Sequence, residues 1–304
     1  MGGQLATLCY HRILPEEARA GAGRPYFVRG TAVSDRNFAA QMKSLVENFD
    51  VLSEAEVLAW LNGVREIRRR SCWITFDDGY RDVIERAAPI LAAYGLPATV
   101  FVTTGVIDDR NRWLPADHWY STLARSTRRR GLLQFDDGPG WEFDVDRDFD
   151  RFVDGPERRR FLNGSSEEQA VMRRRLAEAL RADESPRPDL YLDRGDLGRL
   201  AGSGWSIGGH GYSHAILTGL DEAALSRELE IPRKFLDDLG LSPRVFAYPD
   251  GAASSAVANA ARQSGWAAGV TLGERWTTAI EQRLRLPRFL PTDGGSWVEE
   301  NLLL

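Results

Sequence analysis

Ile74-Thr75-Phe76-Asp77-Asp78-Gly79-Tyr80 is the stretch on which the fold turns. A β-branched and aromatic run ends in two adjacent carboxylates and a glycine. Successive side chains of a strand point to opposite faces. Both acids can therefore serve one site only where the strand ends and the backbone turns, and Gly79 supplies that turn. Barrels of parallel strands carry their chemistry at this C-terminal end. Nearly the same letters recur at Phe135-Asp136-Asp137-Gly138, but no β-branched run precedes them and Pro139-Gly140 follows. That copy reads as a surface turn.

Outward from this strand, apolar runs alternate with helical patterns. Leu5–Tyr10 reads as a buried strand, and 72–76 and 98–102 as two more. Ser34 is placed to cap a helix through about residue 48, with Phe38, Met42, Leu45 and Val46 on one face. Ser53 caps another, with Val57, Leu58 and Leu61 inward. A helix over about 82–94 should bend or shorten at Pro89. The β-α-β-α rhythm predicts parallel strands. It breaks at about 106, where a segment rich in Asp, Arg, Gly and Trp runs to 190, with a helical stretch near 166–182. This segment reads as an insertion over one end of a single domain spanning 1–304. Helices near 193–202, 221–239 and 254–264 then alternate with strands near 205–208, 245–248, 267–272 and 284–289. Seven or eight βα units predict an α/β fold, a distorted barrel.

The 304 residues are 43% hydrophobic and 27% charged, an ordinary globular composition. A net charge of −5 argues against a general nucleic-acid binder. The Arg triplets at 68–70, 128–130, 158–160 and 173–175 have acidic neighbours and read as solvated helix faces. No apolar run approaches the roughly 20 residues of a membrane span. The start, Met1-Gly2-Gly3-Gln4, has neither a basic n-region nor an apolar h-region, so a cytoplasmic location is expected. Cys9 and Cys72 lie in apolar runs and are expected as buried free thiols.

Gly208-Gly209-His210-Gly211-Tyr212-Ser213-His214 follows another predicted strand end and carries two of the four histidines. Imidazoles four residues apart can grip one divalent ion, and with an aspartate they make a three-ligand catalytic site with room for water. The paired aspartates then have a physical logic. One binds the metal, and the other stays free to take a proton from water whose pKa the metal lowers from 15.7 towards roughly 7. In Arg244-Val245-Phe246-Ala247-Tyr248-Pro249-Asp250-Gly251 a strand runs into a tight turn. Such a turn can offer a backbone N–H to a developing oxyanion, worth about 3 kcal/mol.

These segments, in this order, resemble the polysaccharide deacetylase family (the NodB-homology domain, carbohydrate esterase family 4). Pro97-Ala98-Thr99-Val100-Phe101-Val102 belongs to the pattern, and Tyr10-His11-Arg12-Ile13 looks like its exopolysaccharide-deacetylase branch. The likeness covers roughly 4–104 and 193–290. It implies a distorted (β/α) barrel and metal-dependent removal of an N-acetyl or similar acyl group from a sugar or polysaccharide. Carried over by position, Asp77 is the general base, Asp78, His210 and His214 hold one divalent ion, usually zinc, and the N–H of Tyr248, at Tyr248-Pro249, helps hold the oxyanion. His11 resembles a histidine near the site. Two departures stand out. Many members have Arg where Ala247 stands, and Arg288 could reach in from the last strand instead. Many also have a C-terminal histidine as acid, whereas no histidine follows His214, which leaves His11, His118 or water. Trp113, Trp119 and Trp141 either stack on sugar rings or anchor a small core under the insertion. Two other readings stay open: a deformylase or other amide hydrolase on a small substrate, and a non-catalytic carbohydrate-binding protein with a degenerate site.

Overall fold

Six strands form one parallel ladder: β1 (Leu5–Tyr10), β2 (Ser71–Phe76), β3 (Thr99–Val102), β4 (Ser206–Gly209), β5 (Val245–Ala247) and β6 (Ala268–Val270). They pair in that order. Their residues are buried almost throughout, which is why the strands read as continuous apolar runs and not as an alternation. The computed structural model describes residues 3–68, 70–183, 190–278 and 283–303.

The seventh stave is irregular. Segment 284–289, expected as a strand, makes two isolated parallel bridges, Val270↔Leu286 and Leu8↔Phe289. Pro287 sits between them, has no N–H to donate, and interrupts any ladder. The two bridges still join β6 to β1 and close the ring, giving the distorted barrel. Trp73, Phe101, Val245, Ala247 and Leu286 belong to one buried cluster of this unit.

The helices begin where the sequence supplies caps. Ser34 accepts from the Asn37 N–H at the head of helix Asp35–Asn48. Ser53 and Glu56 form a reciprocal capping box on helix Glu54–Leu61. Pro89 lies in the first turn of helix Ala88–Tyr94, and the irregularity falls just before it, as a π-turn over Val83–Ala87. The Ala88 N–H still donates back to Val83 O across the π-turn, and the irregular turn makes room for Pro89, which has no N–H to give.

The chain divides into two compact units. One unit comprises Met1–Leu14, Ala32–Arg110 and Asp189–Leu304; the other comprises Pro15–Thr31 and Asn111–Pro188. Residues 106–110 thus stay with the barrel, in and just after helix Thr104–Asp108. Residues 15–31 join the second unit through Tyr26. Its hydroxyl donates to the Asp117 carboxylate, and its ring meets Tyr120 edge-on at 5.0 Å. Residues 184–189 of the expected insertion, and Arg69 of the first Arg triplet, lie outside the described residues.

Within the second unit, Trp119 is buried, its indole N–H donating to Phe152 O at 2.7 Å. Trp113 is buried too, whereas Trp141 is half-buried. The first two anchor a small core. Asp136-Asp137-Gly138 lies in the connection between hairpin strands Arg130–Leu133 and Trp141–Asp144, the surface turn expected of it. Arg129, Arg130 and Arg160 pair with Asp146, Asp144 and Asp136. Both cysteines are free and buried. Among the described residues, no helix is long and apolar enough to cross a membrane.

Candidate active site

At the C-terminal end of β2 the chain turns at Asp78 itself. The Gly79 N–H donates to Asp77 O at 2.9 Å, an i→i+2 bond around an aspartate with φ 73°. That is γ-turn geometry, rare and strained for a side-chain-bearing residue. The turn lets two sequence-adjacent carboxylates serve one site. Gly79 follows at φ 85°, where an added Cβ would lie 3.0 Å from Val102.

Asp78, His210 and His214 converge, each with one ligand atom within 4.8 Å of the others. Asp78 Oδ1 lies 3.5 Å from His210 Nε2 and 3.3 Å from His214 Nε2. It is buried and makes hydrogen-bond geometry with neither. His210 Nδ1 lies 2.8 Å from Ala247 O. A carbonyl only accepts, so Nδ1 carries a proton, and Nε2 is the atom turned toward Asp78. Two imidazole nitrogens and a carboxylate oxygen gathered within 4.8 Å suit a divalent cation, so these residues fit the metal that the sequence implies. Burial alone would depress His214, but its contact with Asp78 prevails and lifts it to about 9.

The loop carrying the two histidines is strapped down. Thr104 N–H and Gly105 N–H donate to the carbonyls of Gly211 and Tyr212. On the other side the Glu228 carboxylate accepts from Tyr212 N–H at 2.8 Å and from the Ser213 hydroxyl at 2.6 Å. Glu228 was not anticipated from the sequence. Its signal was available: it is a charged residue among Leu225, Leu229, Pro232 and Leu236 on the apolar stripe of helix Glu222–Asp238.

Asp77 is 3% exposed and stands outside that donor set. Arg288 grips it bidentately, Nη1 to Oδ1 at 2.7 Å and Nη2 to Oδ2 at 2.6 Å. Arg288 also donates to Thr271 O and Thr75 Oγ1. Burial would raise the Asp77 carboxyl, but the guanidinium prevails and holds it down at about 2. A planar fork on a carboxylate is the strong form of this contact. Cys9 adds an unforeseen bond, its thiol donating to Asp77 Oδ2 at 3.3 Å. His11 follows β1 on the same side as Cys9, half-buried, with Nδ1 unpartnered. Burial holds the His11 imidazole below its ordinary range, against the pull of the two aspartates. Its segment is pinned by Asp82, which accepts from Ile13 N–H and Arg12 Nε at 2.8 Å each.

Two expected oxyanion contributors are not available in that role. The Tyr248 N–H donates to Val270 O at 3.1 Å, because the β5–β6 pairing runs one residue beyond β5. Pro249 has no N–H. His118 belongs to the second unit, where it stacks on Trp113 at 5.6 Å and burial lowers it to about 4.

This geometry sits on a fold seen in solved proteins. The Streptococcus pyogenes deacetylase PplD, solved in complex with acetate, superposes with a TM-score of 0.64 at 19% identity, over 99% of both chains. IcaB from Ammonifex degensii gives 0.59 at 18% identity, over 99% of this chain and 97% of that one. In sequence, a poly-beta-1,6-N-acetyl-D-glucosamine N-deacetylase of Staphylococcus aureus is 31% identical over 84 residues. That match spans 28% of this chain and 29% of the relative's length. The polysaccharide deacetylase family profile reaches further, matching residues 65–135 and 161–269. Those residues make up more than half of the chain and include both aspartates and both site-loop histidines, so the chain belongs to the polysaccharide deacetylase family.

Proposed function

We propose that this chain is a metal-dependent hydrolase that removes an N-acetyl, or similar acyl, group from a sugar or polysaccharide. One observation carries the reading. Asp78, His210 and His214 form a cation donor set, while Asp77 beside it, 3.8 Å from His210 Nε2, is held by Arg288 and left out of the set.

Zinc is the ion best matched to one carboxylate and two imidazoles. A divalent ion held there supplies Lewis acidity, polarising an acyl carbonyl and acidifying water to a pKa of roughly 7. The chain's residues do the rest. Asp77 is an anion across the physiological range and takes the proton of the attacking water. Its low basicity is tolerable because that water is already acidified. Arg288 keeps it ionised and fixes the direction of its free lone pairs. The proton that Asp77 takes from water is the one the leaving amine needs, and His11, with a ring nitrogen within 4.8 Å of the Asp77 carboxylate, is placed to receive it and pass it on. An N-acetylated amino-sugar polymer is the substrate proposed, by analogy with the Staphylococcus aureus relative.

The test is acetate release from N-acetylglucosamine oligomers, beside metal analysis. Asp77→Asn is expected to retain metal and lose at least about 100-fold in turnover, the ordinary worth of a positioned base. Asp78→Ala and His214→Ala should lose metal and activity together. Full turnover in Asp77→Asn would remove the base from the mechanism.

A further inference from the structure

We propose that Cys9, His11 and Asp77 form a second cation subsite, one that takes a thiophilic divalent ion such as zinc, cobalt or cadmium at the edge of the first centre. Their ligand atoms lie within 4.8 Å of one another, a cluster separate from Asp78, His210 and His214. Strand geometry builds it. Cys9 and His11 are two residues apart and share a side, whereas Tyr10 between them turns its hydroxyl to Gln41 at 2.8 Å. The β1–β2 register sets Tyr10 opposite Phe76, so the next residues, His11 and Asp77, come side by side.

Two features point to a ligand. The buried His11 Nδ1 has no partner. The Cys9 thiol aims its proton at Asp77 Oδ2 over 3.3 Å. A metal ion entering there takes that proton's place. The S–H bond breaks, the proton leaves to solvent, an S–metal bond forms, and no oxidation state changes. Thiolate, imidazole and carboxylate together favour thiophilic ions over magnesium or calcium. Arg288 stays on Asp77 and offsets part of the added anionic charge. An ion in this subsite also occupies the carboxylate proposed as the base. If that reading of Asp77 holds, excess zinc inhibits by this route.

The experiment is a cobalt(II) titration of the full chain, followed by absorbance. The first centre offers only oxygen and nitrogen and gives no thiolate band. The second equivalent is expected to bring a thiolate-to-cobalt charge-transfer band in the near ultraviolet. Cys9→Ala should lose that band and one equivalent of cobalt. Cys72→Ala, which leaves Cys9 as the sole thiol of this two-cysteine chain, should keep both and decides the matter even if Cys9→Ala fails to fold. A missing band at saturating cobalt, or a band that survives in Cys9→Ala, overturns the subsite. His214→Ala separates the two readings, since it removes the first equivalent and leaves the thiolate band.

Discussion

Two carboxylates of the barrel unit are buried alike, Asp77 at 3% and Glu54 at 5% exposure, yet they are driven in opposite directions. Asp77, past the C-terminal end of β2, is held at about 2 because Arg288 overcomes the cost of its burial. Glu54 opens helix Glu54–Leu61 at the other end of the barrel. With Ser206 and Arg244, at the starts of β4 and β5, it lines a cavity of about 510 Å³. Burial lifts Glu54 to about 8, and the Arg244 charge and Thr99 hydroxyl only partly oppose the rise. Its Oε2 has no hydrogen-bond partner. The same functional group is therefore an anion at one end and a neutral acid near pH 7 at the other. Burial is common to both, so the partner decides the charge state.

The largest break in this contrast comes from removing the partner. Arg288→Met keeps the bulk but leaves Asp77 buried and unpaired. Stranding one member of a buried ion pair costs about 3–5 kcal/mol. Urea unfolding at pH 7 should show a loss of that order, and turnover should fall with metal content unchanged. Arg288→Lys should recover part of both, since an ammonium restores charge but not the two-pronged grip. An Arg288→Met protein as stable and active as the parent would mean that Asp77 does not depend on its pair.

The second test works at the opposite end and has the opposite sign. Folded Glu54 binds its proton more tightly than the unfolded chain does, whose value is near 4.5. Between these values the folded state holds more protons, so stability must fall as pH rises from about 4.5 through 8. Glu54→Gln abolishes that titration. It should flatten the alkaline side of the stability curve and gain up to a few kcal/mol at pH 9, with little change at pH 5. Thermal unfolding across pH 5–9 measures it. Parallel curves for parent and variant would show that Glu54 is not held neutral.

Much of this was legible because the site is written in short local runs. Asp77-Asp78 and His210…His214 each follow an apolar run that reads as a strand, and parallel strands bring their C-terminal ends together whatever lies between. Caps at Ser34 and Ser53 were equally local. The misses share a cause, dependence on partners distant in sequence. The last stave was expected as a regular strand, but Pro287 reduces it to two isolated bridges, to Val270 and Leu8. Residues 15–31 join the second unit through Tyr26 and Asp117, 91 positions apart. The Tyr248 N–H looks free in a Tyr-Pro-Asp-Gly turn until its pairing with Val270 is seen. Glu228 acts on a loop 15 and 16 positions away, and Cys9 on an aspartate 68 positions away, and no motif announces either contact.

The smallest effect is the control that gives the other two their meaning. Lys234 and Asp238 form an ion pair at 2.8 Å on helix Glu222–Asp238, close to the 2.7 and 2.6 Å contacts of Asp77, but their side chains are 76% and 64% exposed. Water already solvates both charges, salt screens them, and the order Lys before Asp is the less favourable one against the helix dipole. Lys234→Ala should therefore change unfolding free energy by no more than about 0.5 kcal/mol in urea, and any change should vanish in high salt. If this exposed pair proved as costly to break as Arg288–Asp77, distance alone would govern these contacts. The contrast between the two barrel ends would then have to be explained without burial.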